Sequence, residues 1–263
     1  MKNFTFYVYA FMTASAVFVS SCSDDDDDNP TASVKQILAV VKSEPNEAEH
    51  DSIVFSYNTN GELVQTDEYL VSGSSITKTG ENKFTYKTGK LVSVETFERE
   101  GSAMVKSDKD SISYDDNNRI EKIFDFSVAD DEFVLNDYTT IVTYNDNSSL
   151  PSRYTFDTYG YQDYEYDARN NIVKLKDYDN GVLDGIDIYT YDTRKNPFKG
   201  NYLMVNELEF FNTNNILTVT GEDYRQVRTY EYNSEGYPTK TTLVETYPDS
   251  TEEYSYTLKI YYK

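Results

Sequence analysis

The chain predicts an all-β fold, an antiparallel meander of repeated β-hairpins forming one long, twisted, strongly curved sheet. Three observations predict it. A short aromatic-turn unit recurs eight times at intervals of 20 to 30 residues. Apolar and polar residues alternate around each unit. Tyr is abundant, with 26 copies, while Gly numbers only 11 and Pro 6. That composition suits β-sheet and not disorder.

The units align on their aromatic, position zero. They begin at Tyr57, Tyr86, Tyr114, Tyr144, Tyr166, Tyr191, Phe211 and Tyr232. Position +1 is Asn or Asp in seven of the eight. Position +4 is Gly or Asn in five: Gly61, Asn118, Asn170, Asn215 and Gly236. An Asx opens a type I turn, and Gly or Asn tolerates the left-handed conformation that closes it. Together these make a three-residue hairpin loop with a bulge.

Register follows from the loop. Position zero faces +6, pairing Tyr57 with Leu63, Tyr114 with Ile120, Tyr144 with Leu150, Tyr166 with Ile172 and Phe211 with Leu217. The Tyr86 unit is one residue shorter, so a two-residue turn at Thr88-Gly89 sets Tyr86 against Leu91. Tyr191 and Tyr232 fall opposite Pro197 and Pro238, which cannot donate to a ladder.

Alternation sorts the faces. Position −2 shares the anchor's face and holds Phe55, Phe84, Ile112, Val142, Tyr164, Tyr189 and Tyr230, with Glu209 as the exception. Position −1 is Ser, Thr or Glu except at Phe210. The sheet therefore has one aromatic, apolar face and one wet face. Val34 to Val41 reads as the opening strand. The count comes to about 16–18 strands.

These units resemble YD repeats, the Tyr-Asp hairpins of the Rhs family, over roughly residues 52–263. In that family such repeats build a coiled sheet that can enclose a toxin. The resemblance implies a similar coiled sheet here.

The N-terminus sets the expected address. Residues 1–21 read as a secretory signal, with Lys2 before an apolar run from Phe4 to Val19. That run is too short and polar for a membrane span. It ends at "VFVSSC", which resembles a lipobox and makes Cys22 the lipid attachment site. An ordinary signal with a stray free Cys is the alternative. No second Cys exists to pair with it. Residues 22–33 read as an acidic disordered tether, and 34–263 as the repeat domain. The run Ser23, Asp24, Asp25, Asp26, Asp27, Asp28 resembles the surface-export signal of Bacteroidota-type lipoproteins. It is equally a solvated tether, and it lacks the preorganised cage a calcium site needs. The expected location is the outer membrane, lipid-anchored and facing the cell exterior.

The chemistry is sparse. A formal charge of −22 repels nucleic acid. His50, the only histidine, sits in a polar stretch and reads as a solvated loop residue. It supports neither a triad nor a zinc cluster. No cofactor, metal site or catalytic residue is expected, and the chain reads as a non-enzyme. The functional expectation is non-catalytic binding of a glycan, peptide or outer-membrane protein, with an envelope-structural role as the alternative. Recognition is placed on aromatics outside the anchor face, at Tyr159, Tyr161 and Tyr261.

Overall fold

The computed structural model describes residues 35–146, 148–156, 160–199, 211–248, 250–251 and 253–263. Signal, Cys22, the aspartate run, Tyr159, Glu209 and Phe210 lie outside them.

Among the described residues, sixteen strands follow in order. They are β1 (Ile37–Ser43), β2 (Glu49–Tyr57), β3 (Leu63–Ser72), β4 (Ser75–Lys87), β5 (Lys90–Glu100) and β6 (Ala103–Tyr114). Next come β7 (Ile120–Ala129), β8 (Glu132–Tyr144), β9 (Pro151–Phe156), β10 (Gly160–Tyr166) and β11 (Ile172–Asp179). The last are β12 (Val182–Lys195), β13 (Asn214–Thr220), β14 (Arg225–Tyr232), β15 (Pro238–Thr246) and β16 (Glu253–Tyr262). Each strand pairs antiparallel with its sequence neighbours, as expected. His50 is corrected from a loop to the second residue of β2, opposite Ser43 and Val71.

The open sheet is corrected too. β1 pairs with β16, Val40 against Ile260, and the sheet is a closed barrel. Closure has a physical reason. The meander buries its apolar face by curling, and no helix among the described residues covers it. Pairing the two edges also removes the unpaired N–H and C=O rows that an open sheet would expose.

The apolar face is the inner one. Phe55, Phe84, Val94, Ile112, Ile123 and Val142 are all at most 6% exposed. On a wall one strand thick, only the face turned inward reaches such burial. Their outward neighbours form cross-strand ion pairs: Asp67–Lys78 at 2.6 Å, Glu95–Lys109 at 3.2 Å, Asp163–Arg153 at 2.6 Å and Glu231–Lys240 at 2.8 Å. Cations also lie over outer rings, Lys83 4.3 Å from the Phe97 centroid and Lys109 5.2 Å from that of Phe133. The outer face also exposes Val54, Ile141, Ile186 and Ile188 at 37–41%, whereas a membrane-spanning barrel needs an outward apolar band uninterrupted by such charges.

The two ends differ. One carries the repeat turns, together with the start of β1 and the end of β16, where the Lys263 N–H donates to the Gln36 carbonyl. The other carries tight turns such as Asp130-Asp131 and Asn180-Gly181, with positive φ at both residues. That is the mirror-image turn whose twist matches two-residue hairpins. These are the motif end and the turn end.

At the motif end four of the Asx residues work as the spacing predicts. Asp167 Oδ1 accepts from the N–H groups of Arg169 (2.8 Å) and Asn171 (2.9 Å). Asn58, Asp115 and Asn233 repeat this pattern. Gly61, Asn118, Asn170 and Gly236 have φ between +63° and +84°. Tyr57–Leu63, Tyr86–Leu91, Tyr114–Ile120, Tyr166–Ile172 and Tyr232–Pro238 pair as read. Tyr144 instead meets Pro151, because its turn is one residue longer.

The sixth and seventh units are corrected most. Tyr191 faces Ile216, not Pro197, and Phe211 anchors no hairpin. Asp192 Oδ1 accepts from Arg194 N–H at 2.9 Å, as Asp167 does from Arg169. Its second bond comes from Asn215 N–H at 3.0 Å, across an insertion. The two apparent units are one hairpin whose tip has been opened. Described parts of the insertion fold back on the barrel end. Phe198 and Phe211 pack on the main core, and Phe211 meets Tyr154 edge-on at 6.2 Å. Buried asparagines satisfy the backbone there: Asn212 Oδ1 accepts from Ile172 N–H at 2.8 Å, and Asn171 and Asn214 bond reciprocally.

Candidate functional site: an acid-lined cup

The expected binding aromatics are not brought together. Tyr161 lies on the outer wall, stacked on Tyr178 at 4.4 Å, with the Arg153 guanidinium 3.8 Å from its centroid. Arg153 is itself held by both carboxylate oxygens of Asp163. Tyr261, 51% exposed, stands on β16 opposite Ala39. The two strands are six apart around the wall, about 29 Å at the usual strand spacing. Tyr161 is already occupied by its own neighbours.

The inner face carries another arrangement. Along each strand it changes character from the motif end to the turn end. On β2, Phe55 and Ile53 are 4% and 6% exposed, and Asp51 on the same face is exposed. On β5 the order runs from buried Leu91 and Val94 through Thr96 to exposed Glu98. On β6 buried Ile112 gives way to half-buried Asp110 and Asp108. The interior is an apolar floor at the motif end with an acidic mouth at the turn end.

Two carboxyls stand at the boundary. Glu68 faces Gly80 in register. A Cβ on residue 80 would lie 2.9 Å from Glu68 Oε2, so the glycine makes room for the acid. Asn82 Nδ2 donates to Glu68 Oε1 at 3.3 Å and to Thr66 Oγ1 at 3.1 Å, and Asn82 Oδ1 accepts from Thr96 Oγ1 at 2.9 Å. Burial, then the nearby Asp51 and Glu98 charges, push Glu68 up to about 7, against the opposing Asn82 bond. Asp110 faces Asp125 directly across β6 and β7. Burial and the charges of Asp125 and Asp108 push it up to about 7 as well. Asp125 accepts from Asn136 Nδ2, whose Oδ1 accepts from Ser127 Oγ at 2.7 Å.

The sequence signal for these acids was present. Asp110 and Asp108 lie four and six residues before Tyr114, so they share the parity of Ile112. Alternation had only to be followed further from the anchor. Among the described residues, no group of three or more His, Cys, Asp or Glu could hold a metal ion.

No family model and no curated protein matches the chain. It is similar to a solved porin-like protein from Bacteroides uniformis, at 12% identity and TM-score 0.47, covering 86% of this chain and 98% of that one. A porin-like protein from Bacteroides vulgatus is similar at 11% identity and TM-score 0.41, covering 87% and 99%. A DUF3836 family protein from Parabacteroides distasonis matches at 17% identity and TM-score 0.26, over 43% and 92%. The resemblance to YD repeats of the Rhs family is corrected accordingly. No such family model matches, and the hairpins close on themselves after sixteen strands where a coiled sheet would continue.

Proposed function

We propose that the chain is a lipid-anchored envelope protein whose barrel stands in water and binds a ligand, without catalysis, through the mouth at its turn end. The observation that carries this reading is the polarity of the wall. Ion pairs stud the outside among exposed Val54, Ile141, Ile186 and Ile188, the apolar face is buried inside, and the interior becomes acidic toward one end.

Orientation supports it. β1 starts at the motif end, so the chain enters the barrel from that end. The thirteen residues 22–34 reach at most about 45 Å. A lipid on Cys22 would hold the motif end toward the membrane and leave the mouth pointing outward. The Ser23–Asp28 run fits the outward-facing destination. A glycan, a peptide or an outer-membrane protein remains the ligand class, and the acidic mouth disfavours nucleic acid.

The experiment is fractionation combined with capture. Cys22→Ser should release the protein from the outer membrane, and intact cells should present the mouth to external probes. A Cys22→Ser chain that still partitions with the membrane contradicts the anchor. Failure of the folded protein to capture any surface glycan, peptide or outer-membrane protein contradicts the binding role and leaves the envelope-structural one.

A further inference from the structure

We propose that the cup takes a basic peptide segment, with a lysine ammonium seated between Asp110 and Asp125. The inference rests on the binding role given above and narrows its ligand.

The first ground is the difference between the two faces of one wall. Outside, Asp67, Glu95, Asp163 and Glu231 each meet a Lys or Arg across the ladder. Inside, Asp110 and Asp125 meet each other. Like charges directly opposite on a sheet are destabilising. Asp110, half-buried, makes no side-chain hydrogen bond or ion pair among the described residues. The inward cations Lys42 and Arg228 are elsewhere, Arg228 on β14 opposite Leu243. Lys42, on β1, is five strands away and is bonded to Glu44 at 2.9 Å and Tyr254 at 3.1 Å.

The second ground is the rim. Large apolar side chains stand exposed at the turn end, Ile76 at 69%, Val182 at 70%, Leu135 at 52% and Val134 at 48%. Exposed apolar groups around an acidic opening suit an amphipathic cationic chain, whose aliphatic parts cover the rim while its charge enters. The acidic turn residues Asp130, Asp131 and Glu132 would steer it there. The absence of a three-ligand group among the described residues disfavours a metal as the neutralising charge. The raised Asp110 carboxyl agrees with a site that lacks its counter-charge. Facing it are Asp125 across the ladder and Asp108 on its own strand, with Asn136 and Ser127 next along the network.

The probe is pentalysine, titrated calorimetrically into the full chain at pH 8 and physiological salt. The expected result is saturable 1:1 binding that weakens at least tenfold in Asp110→Asn and in Asp125→Asn. Binding should weaken at least tenfold at pH 5.5 as well. Glu95→Gln on the outer wall should leave it within twofold. Near-UV circular dichroism establishes that each variant is folded, and removing a buried like charge should favour folding. Equal affinity in wild type and Asp110→Asn would overturn the proposal, because pentalysine would then be responding to net charge alone. So would displacement of pentalysine by millimolar calcium, which would assign the pair to a metal. If pentalysine fails while another ligand is captured at the mouth, the ligand class falls and the binding role stands.

Discussion

The Tyr114 hydroxyl donates to the Leu91 carbonyl, 2.8 Å away and one hairpin back. The same bond runs from Tyr57 to Ile37, Tyr144 to Ile120, Tyr166 to Pro151, Tyr191 to Ile172, Tyr230 to Ile216 and Tyr262 to Pro238. Seven such ties are made, five of them by the anchors Tyr57, Tyr114, Tyr144, Tyr166 and Tyr191 and two by Tyr230 and Tyr262. The acceptor is the residue that faces the predecessor's own anchor, and at Tyr57 and Tyr262 the series crosses the β1–β16 seam. At those five anchors this is why Tyr serves where Phe would not, while the Tyr232 hydroxyl donates to Asp192 instead. The ring supplies cross-strand packing, and the hydroxyl satisfies a carbonyl at a strand start.

Tyr114→Phe keeps the ring and removes the bond. It should destabilise by about 1–2 kcal/mol, the loss expected when a poorly hydrated acceptor is left unpaired. Tyr261→Phe, on the outer wall, should change stability by less than about 0.5 kcal/mol. Urea denaturation of both variants is the measurement. Equal midpoints would mean that the hydroxyl ties contribute nothing.

The insertion at the sixth tip should be removable. Deleting residues 195–213 leaves Tyr-Asp-Thr-Arg-Asn-Asn-Ile, which matches Tyr166 to Ile172 except for Thr in place of Ala. The shortened chain should still form the barrel, because Asp192 already caps Asn215 as Asp167 caps Asn171. It should lose about 3 kcal/mol or more with the Phe198 and Phe211 packing. A shortened chain without a cooperative transition would show that the insertion is part of the minimal fold.

Stability should rise on mild acidification. Glu68 and Asp110 titrate near 7 in the folded chain, above their unfolded range near 4. Between those values the folded state holds protons that the unfolded state has lost. Stability therefore falls as pH rises from about 4 to 7, by of order 2 kcal/mol per group. Asp167 works oppositely. Despite slight burial, its bonds from Asn171 and Arg169 hold it below the usual range, so its contribution is lost only as pH falls below about 4. The melting temperature should peak near pH 5, and Glu68→Gln should flatten the alkaline side. A maximum at pH 8 would contradict the placement of both acids.

The hairpins were legible because their cause is local. Asn58, Asp115, Asp167 and Asn233 each act on backbone within four residues, and spacing records that directly. Closure was not legible. Val40 and Ile260 meet across 220 positions, and neither strand carries a mark distinguishing a paired edge from a free one. Phe211 misled for the opposite reason. "FNTNNI" has the composition of a tip, but Asn212 and Asn214 bond to Ile172 and Asn171 of another hairpin, and Asn215 bonds to Asp192. The tyrosine hydroxyl bonds left only a faint sign, the preference for Tyr at seven of eight anchors. The cup acids leave a weaker mark, because Asp110 and Asp108 lie four and six residues from the Tyr114 anchor while the repeat itself alternates over two.

The central claim is that the wall is wet outside and apolar inside. The most direct test is the behaviour in water of the chain lacking residues 1–34. Analytical ultracentrifugation without detergent should show a soluble monomer with far-UV circular dichroism typical of β-sheet, and the protein should produce no conductance in planar lipid bilayers. A chain that requires detergent to stay in solution and opens ion-conducting channels would contradict the account.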